Sequence, residues 1–254
     1  MNKILNVQNI TRIYALSKRN VILRYKNSLV GFFWGFFKPL LYLLILIVVF
    51  SQVSNIENFV LYATSGLVFW FYFANVTNQS IASIISSAGI IKSLNIPVIF
   101  FPLSETLSEL FNLMLTLVVF SIVMHWFGMV YSWKLLLVLP AAFLFSFFTL
   151  GITLILCSLN VFFRDIGILW TTMQPALFYL TPIAYPESII TNHYAFVVKF
   201  NPIYYFIKLA RGLIYSPDLP SLTLWMHCAL IASVSFMFGY FIFNKLKNQF
   251  ISAI

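Results

Sequence analysis

Few side chains in this sequence have types and spacings that could do chemistry. Glu105 and Glu109 stand one helical turn apart and share a face of any helix that contains them. Paired carboxylates can serve as acid and base, or relay a proton inside a membrane. Here they sit where an apolar run begins, which favours a position at a helix mouth, facing cytoplasmic water or a basic partner. Arg164-Asp165 is a second charged pair, in a polar break between two apolar runs. His125, His193 and His227 are far apart, and none has a His, Cys, Asp or Glu three or four residues on, so no metal site is expected. Cys157 and Cys228 lie in apolar runs, with neither disulfide nor metal spacing. None of the nine glycines precedes a lysine, so the phosphate-cradling G-x-x-x-x-G-K-[ST] loop is absent. No G-x-S-x-G nucleophile turn occurs either. No catalysis and no cofactor are expected on this chain, and its energy source is expected on another subunit.

The elements that carry these residues are set by composition. The chain has 254 residues, 61% of them hydrophobic and 8% charged. A soluble domain carries about 25% charged residues, and a chain this short could not bury so much apolar surface. The expected fold is an all-α integral membrane domain covering 1–254, with six transmembrane helices over 31–56, 58–80, 107–127, 135–159, 166–186 and 219–244. The second apolar run continues past residue 80, but turns polar and small at Asn78, Gln79, Ser80, Ser83, Ser86, Ser87 and Gly89. No cleavable signal peptide is expected, because the first thirty or so residues are polar and the apolar run that follows is too long.

Lys and Arg orient the spans. Lys3, Arg12, Lys18, Arg19, Arg24, Lys26, Lys38, Lys92, Arg164, Lys245 and Lys247 fall on one side, eleven against Lys134, Lys199, Lys208 and Arg211 on the other. Both termini are therefore expected in the cytoplasm. The net charge of +9 has this one-sided cause, and no nucleic-acid partner is expected.

Residues 4–28 are not a span. Val7, Ile10, Tyr14, Val21 and Tyr25 recur at helical spacing, while Arg12, Arg19 and Lys26 recur every seven residues on another face. This is the pattern of an amphipathic helix lying in the cytoplasmic interface, with Arg24 beside Lys26 at its end. Residues 189–200 and 203–215 are too polar to cross and too apolar for a free loop. They are expected as two short re-entrant helices punctuated by Pro182, Pro186, Pro202 and Pro217. Gly31 and Gly35 have the four-residue spacing that lets helices approach closely.

Several stretches, in order along nearly the whole chain, resemble polysaccharide-exporting permeases of the ABC-2 type. They begin with Arg24-Tyr25-Lys26-Asn27-Ser28-Leu29-Val30-Gly31-Phe32-Phe33-Trp34 and Lys38-Pro39-Leu40. Gly89-Ile90-Ile91-Lys92-Ser93-Leu94-Asn95-Ile96-Pro97, with Phe101-Pro102-Leu103-Ser104, is similar to that family's loop between spans two and three. Leu159-Asn160-Val161-Phe162-Phe163-Arg164-Asp165-Ile166 is similar to its loop after span four, and Asn201-Pro202 and Phe243-Asn244-Lys245-Leu246-Lys247 are also family-like. Lys38 departs from the family, where many members have a small polar residue.

The resemblance implies a homodimeric channel in the inner membrane, in contact with lipid. It further implies two copies of a cytoplasmic ATPase that holds ATP and Mg, and a polysaccharide cargo assembled on undecaprenyl diphosphate, as in O-antigen export. Ile91, Lys92 and Leu94, with Arg164 and Asp165, are the expected contacts with that ATPase. Tyr42, Phe50, Trp70, Tyr72, Phe178, Tyr179 and Tyr185 are candidates to line the cargo path. The polar tips of the Tyr and Trp among them need partners inside lipid, and rings stack on the C–H faces of sugars. Hydrogen bonds to neighbouring helices would meet the same need. Teichoic-acid, capsule and small-molecule export remain open as alternatives. A polyprenyl-sugar glycosyltransferase is disfavoured by a total of six acidic residues.

Overall fold

A computed structural model describes residues 7–26, 31–50, 56, 58–94, 96–126, 131–187, 190, 195–216 and 218–253. Among these the chain is helical, with no strand. The helices are α1 (Val7–Tyr25), α2 (Trp34–Phe50), α3 (Phe59–Ile81), α4 (Ser83–Ser86), α5 (Ala88–Ser93) and α6 (Phe100–His125). They continue with α7 (Val138–Phe162), α8 (Asp165–Leu180), α9 (Ala195–Lys199), α10 (Pro202–Ile214), α11 (Leu222–Leu246) and α12 (Phe250–Ala253). Residues 4–6 and 27–28 of the expected interface helix and 51–55 of the expected first span lie outside the described residues.

Among the described residues, four helical segments are long and apolar enough to cross a membrane: Phe59–Ile81, Phe100–Ile122, Trp133–Phe162 and Leu222–Ala253. α2 and α8 have 17 and 16 residues. At 1.5 Å per residue they reach about 26 and 24 Å, short of the ~30 Å hydrocarbon core.

α3 is the centre of the bundle. It is apolar all round, which is the signature of a helix enclosed by others, and α2, α6, α7, α8 and α10 all pack on it. Its Phe69 and Phe73 meet Phe145 and Phe148 of α7, whose rings in turn meet Phe206 of α10 at 5.1 Å (tilted) and 5.0 Å (stacked). Part of the aromatic excess is therefore spent on packing inside the protein. The most extensive helix pairing is α7 with α11. It closes through glycines: a Cβ on Gly239 would overlap the Gly151 carbonyl, and one on Gly151 would overlap the Ser235 backbone. Small residues allow such approach where lipid supplies no hydrophobic drive. Gly31, by contrast, has a positive φ of 53° and nothing within 4 Å of its Cβ position.

A second apolar cluster forms at one end of the bundle. It joins Leu16 of α1, Ile91 of α5, Phe100 and Phe101 of α6, Val161 of α7, Phe243 of α11 and Phe250 of α12. The first and last described helices therefore meet at the same end.

Three boundaries differ from expectation for physical reasons. α6 starts at Phe100, before the expected 107, because the carboxylates in its first turns are paired within the chain. α8 stops at Leu180 although 166–186 was the expected helix. Thr181 precedes Pro182, which disfavours the α region, and it is extended at φ −101°, ψ 125°. A 3-10 turn, Trp133–Leu137, leads into α7, where helix was expected from 135.

Candidate functional site

The end of the bundle that carries α1 holds a charged junction. Arg24, in the last turn of α1, forks between Glu109, which is 3% exposed, and Glu105 at 3.8 Å. Gln79 of α3 donates to Glu109 at 3.4 Å, and the amides of Asn75 and Asn112 also reach it. α1 is docked on α6 by further bonds: Asn20 donates to Ser104 at 3.2 Å, and Ser108 donates to the Ser17 carbonyl at 3.0 Å. Glu105 and Glu109 thus meet a basic partner, and that partner is Arg24 of the chain's own α1. Arg24 serves this junction, whereas Arg12, Arg19 and Lys26 are exposed on the helix surface. Beside the junction lies a cavity of about 250 Å³ between α2, α3 and α6, bordered by Trp34, Tyr72, Asn75, Gln79, Glu109 and Asn112.

The expected ATPase contacts divide. Lys92 and Leu94 are exposed, as are Arg164 and Asp165. Ile91 is turned into the second apolar cluster and holds α5 to the bundle, so it is not on the outer surface with the other four. Asn160 builds the α7–α8 corner: its Nδ2 donates to the Ile81 carbonyl at 3.0 Å, and its Oδ1 accepts from Gly167 N at 3.1 Å. The family-like Asn160 therefore ties the end of α3 to the start of α8 and positions Arg164-Asp165 between them.

The candidate path aromatics fall into separate groups. Trp70, Phe178 and Tyr179 are in consecutive edge contact at 5.4 and 5.3 Å, and Tyr185 donates its hydroxyl to the Tyr179 carbonyl at 2.6 Å. Tyr179 is exposed, Phe178 and Tyr185 are half-buried, and Trp70 is buried. Tyr42 is exposed on α2 and meets Phe71 edge-on at 5.0 Å. Tyr72 is buried, and its hydroxyl donates to Ser146 of α7 at 2.8 Å, so its polar tip is satisfied by a neighbouring helix. The side chain of Phe50 lies outside the described residues.

At the opposite end, Arg211 of α10 lies over the Tyr62 ring, 3.6 Å from its centroid. It donates to the Tyr62 hydroxyl at 2.7 Å and to the carbonyls of Pro182 and Ile183 at 3.0–3.1 Å. These carbonyls follow the broken end of α8, so Arg211 satisfies backbone that the proline leaves open. Asn201 caps α10 by accepting from Ile203 N at 3.0 Å, and its amide donates to Thr181 at 2.8 Å. Asn201-Pro202 is thus an N-cap followed by proline at N1, clamped to the end of α8. On the rim, burial lowers the Lys208 pKa, but Tyr204 at 2.7 Å and Glu187 at 3.1 Å raise it more, so it lies above the ordinary value.

Several of these residues escaped the sequence reading. Gln174 of α8 accepts from Asn78 at 2.8 Å and donates to Thr77 at 3.0 Å, stitching α8 to α3. The available signal was an isolated amide in an apolar helix, which must find partners in its own protein. Among the described residues no group of His, Cys, Asp and Glu could hold a metal.

The described residues form a helical bundle with four helices long and apolar enough to cross a membrane and with α1 docked on α6. The family model for ABC-2 type transporters matches residues 11–215, and the chain belongs to that family. It is 28% identical over 246 residues to the O-antigen export system permease protein RfbA of Klebsiella pneumoniae, covering 94% of this chain and 93% of that one. It is 26% identical to the protein of the same name from Myxococcus xanthus, covering 95% of each. The capsule polysaccharide export inner-membrane protein CtrC of Neisseria meningitidis is 26% identical over 63% of each chain.

Proposed function

We propose that this chain is the channel-forming subunit of an ABC exporter that moves an undecaprenyl-diphosphate-linked, O-antigen-like polysaccharide across the inner membrane. It acts as a homodimer with two copies of a separate cytoplasmic ATPase that binds ATP and Mg. The observation that carries this reading is the near-full-length similarity to two O-antigen export permeases, against about two thirds for the capsule protein. α2 and α8 complete six spans, and α9 and α10 form the re-entrant pair at the outer face. The meeting of α1 and α12 in one apolar cluster supports termini on one side, and the basic residues make that side cytoplasmic.

Deleting the gene tests this. Surface polysaccharide should disappear, lipid-linked polysaccharide should accumulate inside, and the intact gene should restore export. Loss of capsule or teichoic acid with O-antigen intact would reassign the cargo. Intact surface glycans of all three kinds would end the export reading.

A further inference from the structure

The cavity beside the charged junction has the make-up of a sugar site. Trp34 and Tyr72 contribute aromatic rings to its lining, and Asn75, Gln79, Asn112 and Glu109 contribute planar polar groups. Such rings cover the apolar C–H face of a pyranose, while amides and carboxylates take its hydroxyls in pairs. Asn112 lines the cavity, is more than nine-tenths buried, and has an Oδ1 without a partner. An unpaired buried acceptor is unfavourable by about 1–3 kcal/mol, which a donor hydroxyl would relieve once the Asn112 side chain turns its Oδ1, now without exposed surface, into the cavity.

Charge decides which part of a lipid-linked glycan fits. Arg24 and Glu109 are the charged groups in the lining, and they are bonded to each other. Glu105 lies within reach of the same guanidinium. Lys38 is outside the lining and stands over the Phe71 ring at 5.4 Å. A diphosphate entering here would meet Glu109 and a guanidinium already shared by two carboxylates. A neutral sugar meets no such repulsion. The wall also leads outward, since Phe71 borders the cavity and touches the exposed Tyr42 of α2.

We infer that the cavity between α2, α3 and α6 is a binding site for a neutral sugar residue, distinct from any site for the diphosphate. This rests on the export reading for its biological ligand, but its test measures binding alone. The full-length permease with its ATPase, in phospholipid nanodiscs, carries Leu113→Cys or Thr116→Cys, both in the cavity lining, in a Cys157→Ala/Cys228→Ala background. The labelling rate with neutral hydroxyethyl methanethiosulfonate is measured alone, with the methyl glycosides of glucose, galactose and mannose, and with inorganic pyrophosphate. At least one glycoside should slow labelling roughly fivefold at about four times its dissociation constant, and pyrophosphate should have no effect. Thr171→Cys, on the exposed face of α8, should be insensitive to all of them.

Protection by pyrophosphate alone would make this an anion site and overturn the proposal. Protection by none of the sugars, protection equally at position 171, or thiols that do not label at either cavity position would also overturn it. The result is independent of the deletion experiment: export could be lost on deletion while the cavity ignores sugar, or the cavity could bind sugar in a protein with another cargo.

Discussion

The backbone of Gly151 fills the place where a side chain at Gly239 would begin. The two glycines set the distance between α7 and α11, the most extensive helix pairing in the bundle. Backbone cannot rotate aside as a flexible side chain can, so Gly239→Ala should force the helices apart. Overpacking of this kind is unfavourable by about 1–3 kcal/mol. The expected outcome is a lower melting temperature and less folded protein on size-exclusion chromatography. Gly89→Ala is the matched control, since its Cβ would meet nothing within 4 Å and α5 should tolerate alanine.

Arg24 should be more sensitive than either of its acidic partners. Arg24→Gln leaves Glu105 and Glu109 close together without a cation, and removing one partner of a buried pair costs about 3–5 kcal/mol. Glu109→Gln leaves Arg24 its 3.8 Å ion pair with Glu105 and should lose less. In thermal unfolding, Arg24→Gln/Glu105→Gln/Glu109→Gln should recover part of the Arg24→Gln loss. Additive losses across the series would mean that the junction does not act as a unit.

Arg211 holds three backbone and side-chain acceptors with one planar fork, and a lysine cannot reproduce that geometry. Arg211→Lys should lower stability by about 1–3 kcal/mol, with Tyr62→Phe losing less because the ring contact survives. Gly66→Ala should show a smaller shift in the same direction, since its Cβ would stand 3.2 Å from the Arg211 guanidinium. Melting temperatures of the three variants give the order directly.

The sequence made the helical class legible because apolar run length and charge placement are one-dimensional signals. α3 at Phe59–Ile81 against an expected 58–80 is the clearest case. Pairings across the bundle were not legible in the same way. Arg24 and Glu109 are 85 positions apart, and Gly151 and Gly239 are 88 apart, so neither relation leaves a periodic trace. Ile91 was misleading for a related reason. It lies among loop-like residues, yet a six-residue helix needs an apolar anchor, and the second cluster takes Ile91 for that purpose.

That assignment changes the coupling experiment. Lys92→Glu and Leu94→Asp alter exposed residues and should reduce transport-coupled ATP hydrolysis several-fold while leaving the amount of folded permease unchanged. Ile91→Asp places a charge in the apolar cluster and should instead lower folded yield. ATPase assays on reconstituted complexes, normalised to folded permease, separate the two. Unaltered coupling in Lys92→Glu/Leu94→Asp would move the contact away from α5.

The aromatic candidates divide by what already satisfies them. Tyr72 is buried with its hydroxyl on Ser146, so Tyr72→Phe should lose about 0.5–1.5 kcal/mol of stability while keeping the ring that borders the cavity. Tyr42 and Tyr179 are exposed rings that contact other aromatics by their edges, which leaves surface for a second permease copy, lipid or cargo. If they form a sliding surface for a polymer, apolar ring area matters more than the hydroxyl. Tyr→Phe should then be mild at both positions. Tyr42→Ala and Tyr179→Ala should slow export and accumulate lipid-linked glycan inside, without loss of folded protein. The quantity to measure is surface glycan per folded permease, beside melting temperature. Normal export per molecule in both alanine variants would remove these rings from the path. The Phe73, Phe145, Phe148 and Phe206 core would then account for part of the aromatic content, and the rest would be left without a functional account.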